Sequence, residues 1–127
     1  MRGKALVGGG AGIMMLAAAA ADSAELTAFS LDSSADLAAL CGAEPGDPEF
    51  GDARQFCFGF ISGVSLFYTT ALRAERIRKA VCTDEQLTRE QLRANFVAWQ
   101  SEHPEYADAS PLDGFVRSVV NRWPCEE

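Results

Sequence analysis

Residues 47–73 read DPEFGDARQFCFGFISGVSLFYTTALR, and this stretch decides the fold. Asp47 is a residue type that caps helices, and Pro48 suits a first helical position because its missing N–H has no intrahelical partner there. The segment therefore predicts a long helix opening at Asp47. Phe50, Cys57, Phe60, Ile61, Val64, Phe67, Tyr68 and Ala71 recur at steps of three and four, which places them along one helical face. From Phe56 to Leu72 there is no charged residue. Such a run is at the short limit for a membrane span, and Ser62, Ser65, Tyr68, Thr69 and Thr70 make it polar for one. The reading is a buried central helix of a small bundle. Gly59 and Gly63 each cost about 1 kcal/mol relative to alanine in a helix. One turn apart, they let a neighbouring backbone approach closely; the plainer account is two tolerated glycines.

Upstream, the chain opens as an address. Arg2 and Lys4 precede an uncharged apolar run, Ala5 to Ala21, and small residues at 19 and 21 stand before Asp22. That pattern predicts a secretory signal peptide, residues 1–21, cut after Ala21. Residues 22–32 read as a flexible leading tail with Phe29 and Leu31 as isolated apolar points, and residues 33–127 as one helical domain. Of 127 residues, 11 are basic and 18 acidic, a formal net charge of −7 that becomes two units more negative without Arg2 and Lys4. This surface repels nucleic acid and anionic lipid. The four cysteines fit two disulfides in an exported, periplasmic chain, with no membrane attachment once the leader is cut.

Three further helices are expected. Ser33 or Ser34 caps a short one holding Leu37, Leu40 and Cys41, which Gly42 ends. Thr88 and Gln91 form a capping box before Leu92, Phe96 and Trp99, giving a helix from about 89 to 102 that Pro104 stops. Ser110, Pro111 and Asp113 open the last, whose Leu112, Phe115, Val116, Val119 and Trp123 keep helical spacing before Pro124 and Cys125. Arg73, Arg76, Arg78 and Lys79 lie where basic side chains complement the dipole of the long helix. No alternation predicts a sheet. The fold class is an all-α, disulfide-stapled bundle of about four helices.

Four cysteines allow three pairings. In a bundle with short connections successive long helices run antiparallel, so Cys82, before the third helix, and Cys125, after the fourth, fall at one end. Cys41 then pairs with Cys57, and Cys82 with Cys125.

Catalytic chemistry is sparse. The single histidine, His103, sits in a helix-ending turn, the cysteines are accounted for as bridges, and no CxxC or HxxxH spacing marks a metal. No carboxylate lies in an apolar run that would raise its pKa, and no glycine-rich phosphate loop follows a strand. The chain is read as a non-enzyme without cofactor or metal. Glu44, Asp47, Glu49 and Asp52 crowd a segment with no basic residue, and offer a surface to a basic protein partner. The plainer account is compensation of a helix dipole by a solvated loop.

Cys57, Gly59, Phe60, Ile61, Gly63 and Val64 match the pattern C-x-G-[YF]-[IV]-x-G-V. Cys82 follows, then a capped helix with Thr88, Gln91 and Leu92, a helix end reading His103, Pro104, Glu105, and a terminus reading Trp123, Pro124, Cys125. In this order the set, from Leu40 to Cys125, resembles the Rap1a/Tai family of immunity proteins. The resemblance implies a small exported helical protein of Gram-negative bacteria that binds a type VI secretion amidase effector in the periplasm. Such effectors are papain-like cysteine peptidases that cut peptidoglycan peptides. Family members block the active-site cleft, commonly as dimers. Ser65 departs from the pattern, since members often carry an acidic residue there, and the loop between Cys41 and Cys57 is where members vary. The matched residues, Gly59, Gly63, Pro104, Trp123 and Pro124 among them, read as structural, so no toxin-contacting residue carries over. The competing reading is a periplasmic stress or structural protein without an amidase partner, of the acid-stress chaperone type, exposing apolar surface as its carboxylates protonate. Dye binding from neutral to acid pH separates the two, a flat response excluding the chaperone.

Overall fold

The computed structural model describes residues 29–126, so the expected signal peptide and most of the expected tail lie outside the described residues. Helix α1, Ser34–Cys41, opens at Ser33, whose hydroxyl accepts the Asp36 N–H while the Asp36 carboxylate accepts the Ser33 N–H. That reciprocal pair satisfies two N–H groups the helix cannot. Two more, on Ser34 and Ala35, donate to the carbonyls of Ala109 and Ala107 at 2.7 and 3.0 Å. The start of α1 is thereby seated on the turn that precedes the last helix.

Helix α2 is Phe50–Arg73, α3 is Arg89–Glu102, a 3-10 turn spans Pro104–Tyr106, and α4 is Pro111–Arg122. Among the described residues there is no strand, only an isolated antiparallel pairing of Val81 with Pro124. Thr88 and Gln91 cap α3 reciprocally, and the Ser110 hydroxyl accepts the Asp113 N–H at the start of α4. α1 packs on α2, α3 and α4. The core joins Leu37 and Cys41 to Cys57, Ile61, Leu92, Phe96, Phe115 and Val119, with the Phe60 and Phe96 rings set edge-on to Phe115. Leu31 packs against this cluster and the Phe29 ring lies 5.7 Å from that of Phe56, so neither is an isolated apolar point.

The staples pair Cys41 with Cys57 and Cys82 with Cys125, at Cα separations of 5.1 and 4.8 Å. Around the second, Cys82 N–H donates to the Trp123 carbonyl, and the N–H groups of Ala80 and Val81 donate to the Tyr68 hydroxyl. The connection after α2 is thus held by α2 itself and by the C-terminal segment.

Four sequence expectations are corrected. The long helix begins at Phe50, not Asp47, because Asp47 is spent on a turn: its carboxylate accepts the Glu44 N–H and its carbonyl accepts the Phe50 N–H. The helix is buried along one side only, through Ala53, Cys57, Ile61 and Ala71. Phe67 lies six positions beyond Ile61, about one and two-thirds turns, and faces outward at 70% exposure beside Leu66 at 69%. Gly59 and Gly63 meet no backbone, since a Cβ at either would find nothing within 4 Å. In α4, Leu112 and Val116 face solvent while Phe115 and Val119 fill the core.

The close approach falls at Gly114 instead. A Cβ there would sit 1.9 Å from the Ser34 hydroxyl oxygen and 2.7 Å from its Cβ. Ser34 is fully buried and donates to the Gln100 side-chain oxygen, whose amide nitrogen donates to the His103 carbonyl. One polar chain therefore links the starts of α1 and α4 to the end of α3.

Candidate functional site

The acidic segment folds as a wall of a groove. About 460 Å³ of open space is lined by Asp32, Asp36, Asp47 and Glu49 over a floor that includes Leu40 and Ala53. Asp36 is committed to the cap of α1, Asp47 to the Glu44 N–H, and Asp32 accepts the Ser30 hydroxyl. Glu44 adjoins Asp47 in the turn and Glu49 closes it, both exposed. Asp52 is not part of this wall. By helical spacing it shares a face with Phe56, Gly59 and Gly63, all exposed. Of the four carboxylates singled out from the sequence, Asp47 and Glu49 line the groove, Glu44 is tied to Asp47 through its backbone N–H, and Asp52 is turned elsewhere.

Behind the groove stands a cluster that sequence reasoning missed. Arg93 donates to both oxygens of Glu90, at 2.5 and 2.8 Å, and to the Cys41 carbonyl at 2.8 Å. Arg54 donates to Glu90 and to the Ala43 carbonyl, each at 3.3 Å, with its guanidinium over the Phe50 ring. The Cys41 carbonyl at the end of α1 has no helical partner, so Arg93 completes it, while Arg54 holds the Ala43 carbonyl just beyond the helix. The Arg93 hydrogen bond is the main reason the Glu90 carboxyl is held below its ordinary range. The Glu90–Arg93 spacing of three is legible as a helix pair. The reach of both arginines across to α1 carries no sequence signal.

Along the second half of α2, Val64, Tyr68, Val81, Leu87, Phe115 and Val119 line an apolar groove of about 300 Å³, with Ser65, Thr83 and Glu85 also in its lining. Ser65, the family departure, is therefore a half-buried groove residue. His103 is occupied: its Nδ1–H donates to the Trp99 carbonyl at 2.8 Å, and its ring stacks on Trp99 at 4.5 Å. Pro104 opens the 3-10 turn beside it. Trp123 packs against the core and Pro124 pairs with Val81, so these motif residues hold the end of the chain. Among the described residues no three His, Cys, Asp or Glu side chains gather as a metal would require.

The motif cysteines thus form the staples, His103 and Pro104 the turn after α3, and Trp123 and Pro124 the closing segment, while Gly59 and Gly63 lie on the exposed side of α2 with nothing against them. A family model described as Rap1a immunity proteins matches residues 33–125, from the cap of α1 to the last cysteine. The chain belongs to the Rap1a immunity protein family. No curated protein and no solved structure matches it. In this Rap1a protein the family span coincides with the folded body, and membership implies immunity against a type VI effector. The two disulfides are consistent with an exported protein, because such bonds persist in oxidising compartments.

Proposed function

We propose that this Rap1a protein is a periplasmic immunity protein that binds a peptidoglycan amidase effector and occludes its active-site cleft, without catalysis of its own. The observation that carries the reading is the family match across the whole stapled body. Supporting it, exposed Glu44, Asp47 and Glu49 stand on the segment closed by the Cys41–Cys57 bridge, with Asp47 and Glu49 on the groove. A fixed acidic surface speeds encounter with a basic partner and sets its orientation. Expression of the amidase encoded beside this gene, directed to the periplasm, arrests growth, and co-expression of this protein restores it. Growth arrest that persists despite a folded, exported protein overturns the proposal. Within it, Glu44→Lys with Glu49→Lys weakens the complex roughly tenfold or more, mainly through slower association, while the melting temperature stays near that of the parent. An unchanged association rate places the contact elsewhere.

A further inference from the structure

α2 and α4 each pack on α1 and α3 but scarcely on one another. They meet where the Phe60 ring stands edge-on to Phe115, and from Val64, about one turn further along α2, an apolar groove opens between them. Ala80, Val81, Thr83, Glu85 and Leu87, from the connection that follows α2, complete its lining. Two ties fix that connection: the Cys82–Cys125 bridge, and the Tyr68 hydroxyl, which accepts the N–H groups of Ala80 and Val81 at 2.9 and 3.1 Å. The gap is therefore held open by covalent and hydrogen bonds on the side that faces the two helices.

Most of the lining is apolar and wet. Val64, Val81, Leu87 and Val120 are only partly buried and Val116 is exposed, so a body that covers them removes apolar surface from water. The polar groups are few and have capacity to spare. Tyr68 accepts twice, and among the described residues nothing accepts its own proton. The Thr83 hydroxyl accepts the Glu85 N–H at 3.1 Å, which ties down the backbone that carries Glu85. Glu85 is the one charged side chain in the lining; it is exposed and, among the described residues, in no ion pair.

We infer that this groove binds a small organic cation with an apolar body, an alkyl- or arylalkylammonium ion whose chain covers Val64, Val116 and Val120 and whose head meets Glu85 at the exposed margin. Size limits the body. A cavity of about 150 Å³ holds benzene, so one of about 300 Å³ takes roughly eight to twelve carbons. Charge selects the head. A carboxylate would use the hydroxyls of Ser65, Tyr68 and Thr83, but it would face Glu85 and a molecule of formal charge −7. An ammonium group instead meets Glu85 beside apolar surface, where the attraction is stronger than in open water. An extended peptide fits less well, because it needs free backbone groups along the groove, and the N–H groups of Ala80, Val81 and Cys82 are already committed to Tyr68 and Trp123. The site shares no residue with the acidic groove, and the inference does not rest on the immunity reading.

The test titrates n-octylammonium into the oxidised protein without its leader and follows the backbone amides by two-dimensional NMR. The amides of Val64, Tyr68, Val81, Glu85 and Val120 shift with a dissociation constant below about 1 mM, whereas those of Asp36, Glu49 and Ala53 in the acidic groove stay in place. n-Octanoate binds at least about tenfold more weakly, and methylammonium, a head without a body, produces no shift. Glu85→Lys, at an exposed position, leaves the melting temperature unchanged and inverts the preference, so that octanoate binds more tightly than octylammonium. Glu102→Lys makes the same change in net charge at the far end of α3 and keeps the wild-type order, which shows that the head is selected locally. Ser65→Phe fills the groove from α2 and abolishes binding of both octyl ions. Absence of binding, equal affinity for the two octyl ions, an unaltered preference in Glu85→Lys, or shifts confined to the acidic groove would each overturn the inference. Groove amides that move on dilution of the unliganded protein would overturn it too, since a second copy would then be the occupant. No effector enters the experiment, so growth protection without octylammonium binding removes only this inference, and binding without protection removes only the immunity reading.

Discussion

Gly114 and Gly63 are both helical glycines, and they do opposite things. At Gly114 a missing Cβ makes room for the Ser34–Gln100 hydrogen bond between α1 and α3. At Gly63 the missing Cβ faces open space. Spacing along one helix identifies a distinctive face, but what stands across from that face is fixed by other elements. The pair Gly59/Gly63 announces itself in sequence, whereas a lone Gly114 after Pro111 does not.

A side chain added at each glycine has opposite consequences. Gly114→Ala drives its Cβ into Ser34 and lowers stability by about 3 kcal/mol in denaturant titration; a loss under about 1 kcal/mol would mean the junction is loosely packed. Ser34→Ala leaves the Gln100 oxygen without its buried donor and costs about 1–2 kcal/mol. Combined with Gly114→Ala it costs less than the two losses added, by about 1 kcal/mol, because the clash and the hydrogen bond share one side chain. Gly63→Ala moves the other way: measured on dilute, monomeric protein, it stabilises α2 by up to about 1 kcal/mol. A destabilising Gly63→Ala would mean that something does cover this face in the monomer.

The smallest effect belongs to the arginine cluster. The folded-state pKa of Glu90 is depressed, chiefly by the Arg93 hydrogen bond, so its stabilisation is present above the ordinary glutamate range and is lost as pH falls through that range to the folded-state value. Glu90 is more than half exposed, which limits the effect to under about 1 kcal/mol after solvent screening. Glu90→Gln therefore lowers the melting temperature slightly at pH 7 and leaves it unchanged in acid. A difference that persists unaltered into acid would assign the role of Glu90 to packing.

Features that depend on neighbours in the chain were legible in the sequence. Ser33, Thr88 and Ser110 cap as read, because a capping side chain needs only the N–H two or three residues on. Both cysteine pairs followed from helix direction alone. What depended on two distant segments meeting was not legible. Asp47 resembles a cap until the Glu44 N–H claims it, and the acidic set looks single until Asp52 turns outward beside Phe56 and away from the groove. The same limit hid the reach of Arg93 to the last carbonyl of α1 and of Arg54 to the Ala43 carbonyl beyond it.

The Cys82–Cys125 bridge closes residues 82–125 into a covalent ring, with all of α3 and α4 inside it. A peptide bond broken anywhere on that circle opens it without freeing a fragment, and the two new ends stay within reach of each other. For a chain closed in this way, a single nick is then survivable until a reductant arrives to sever the sulfur link as well.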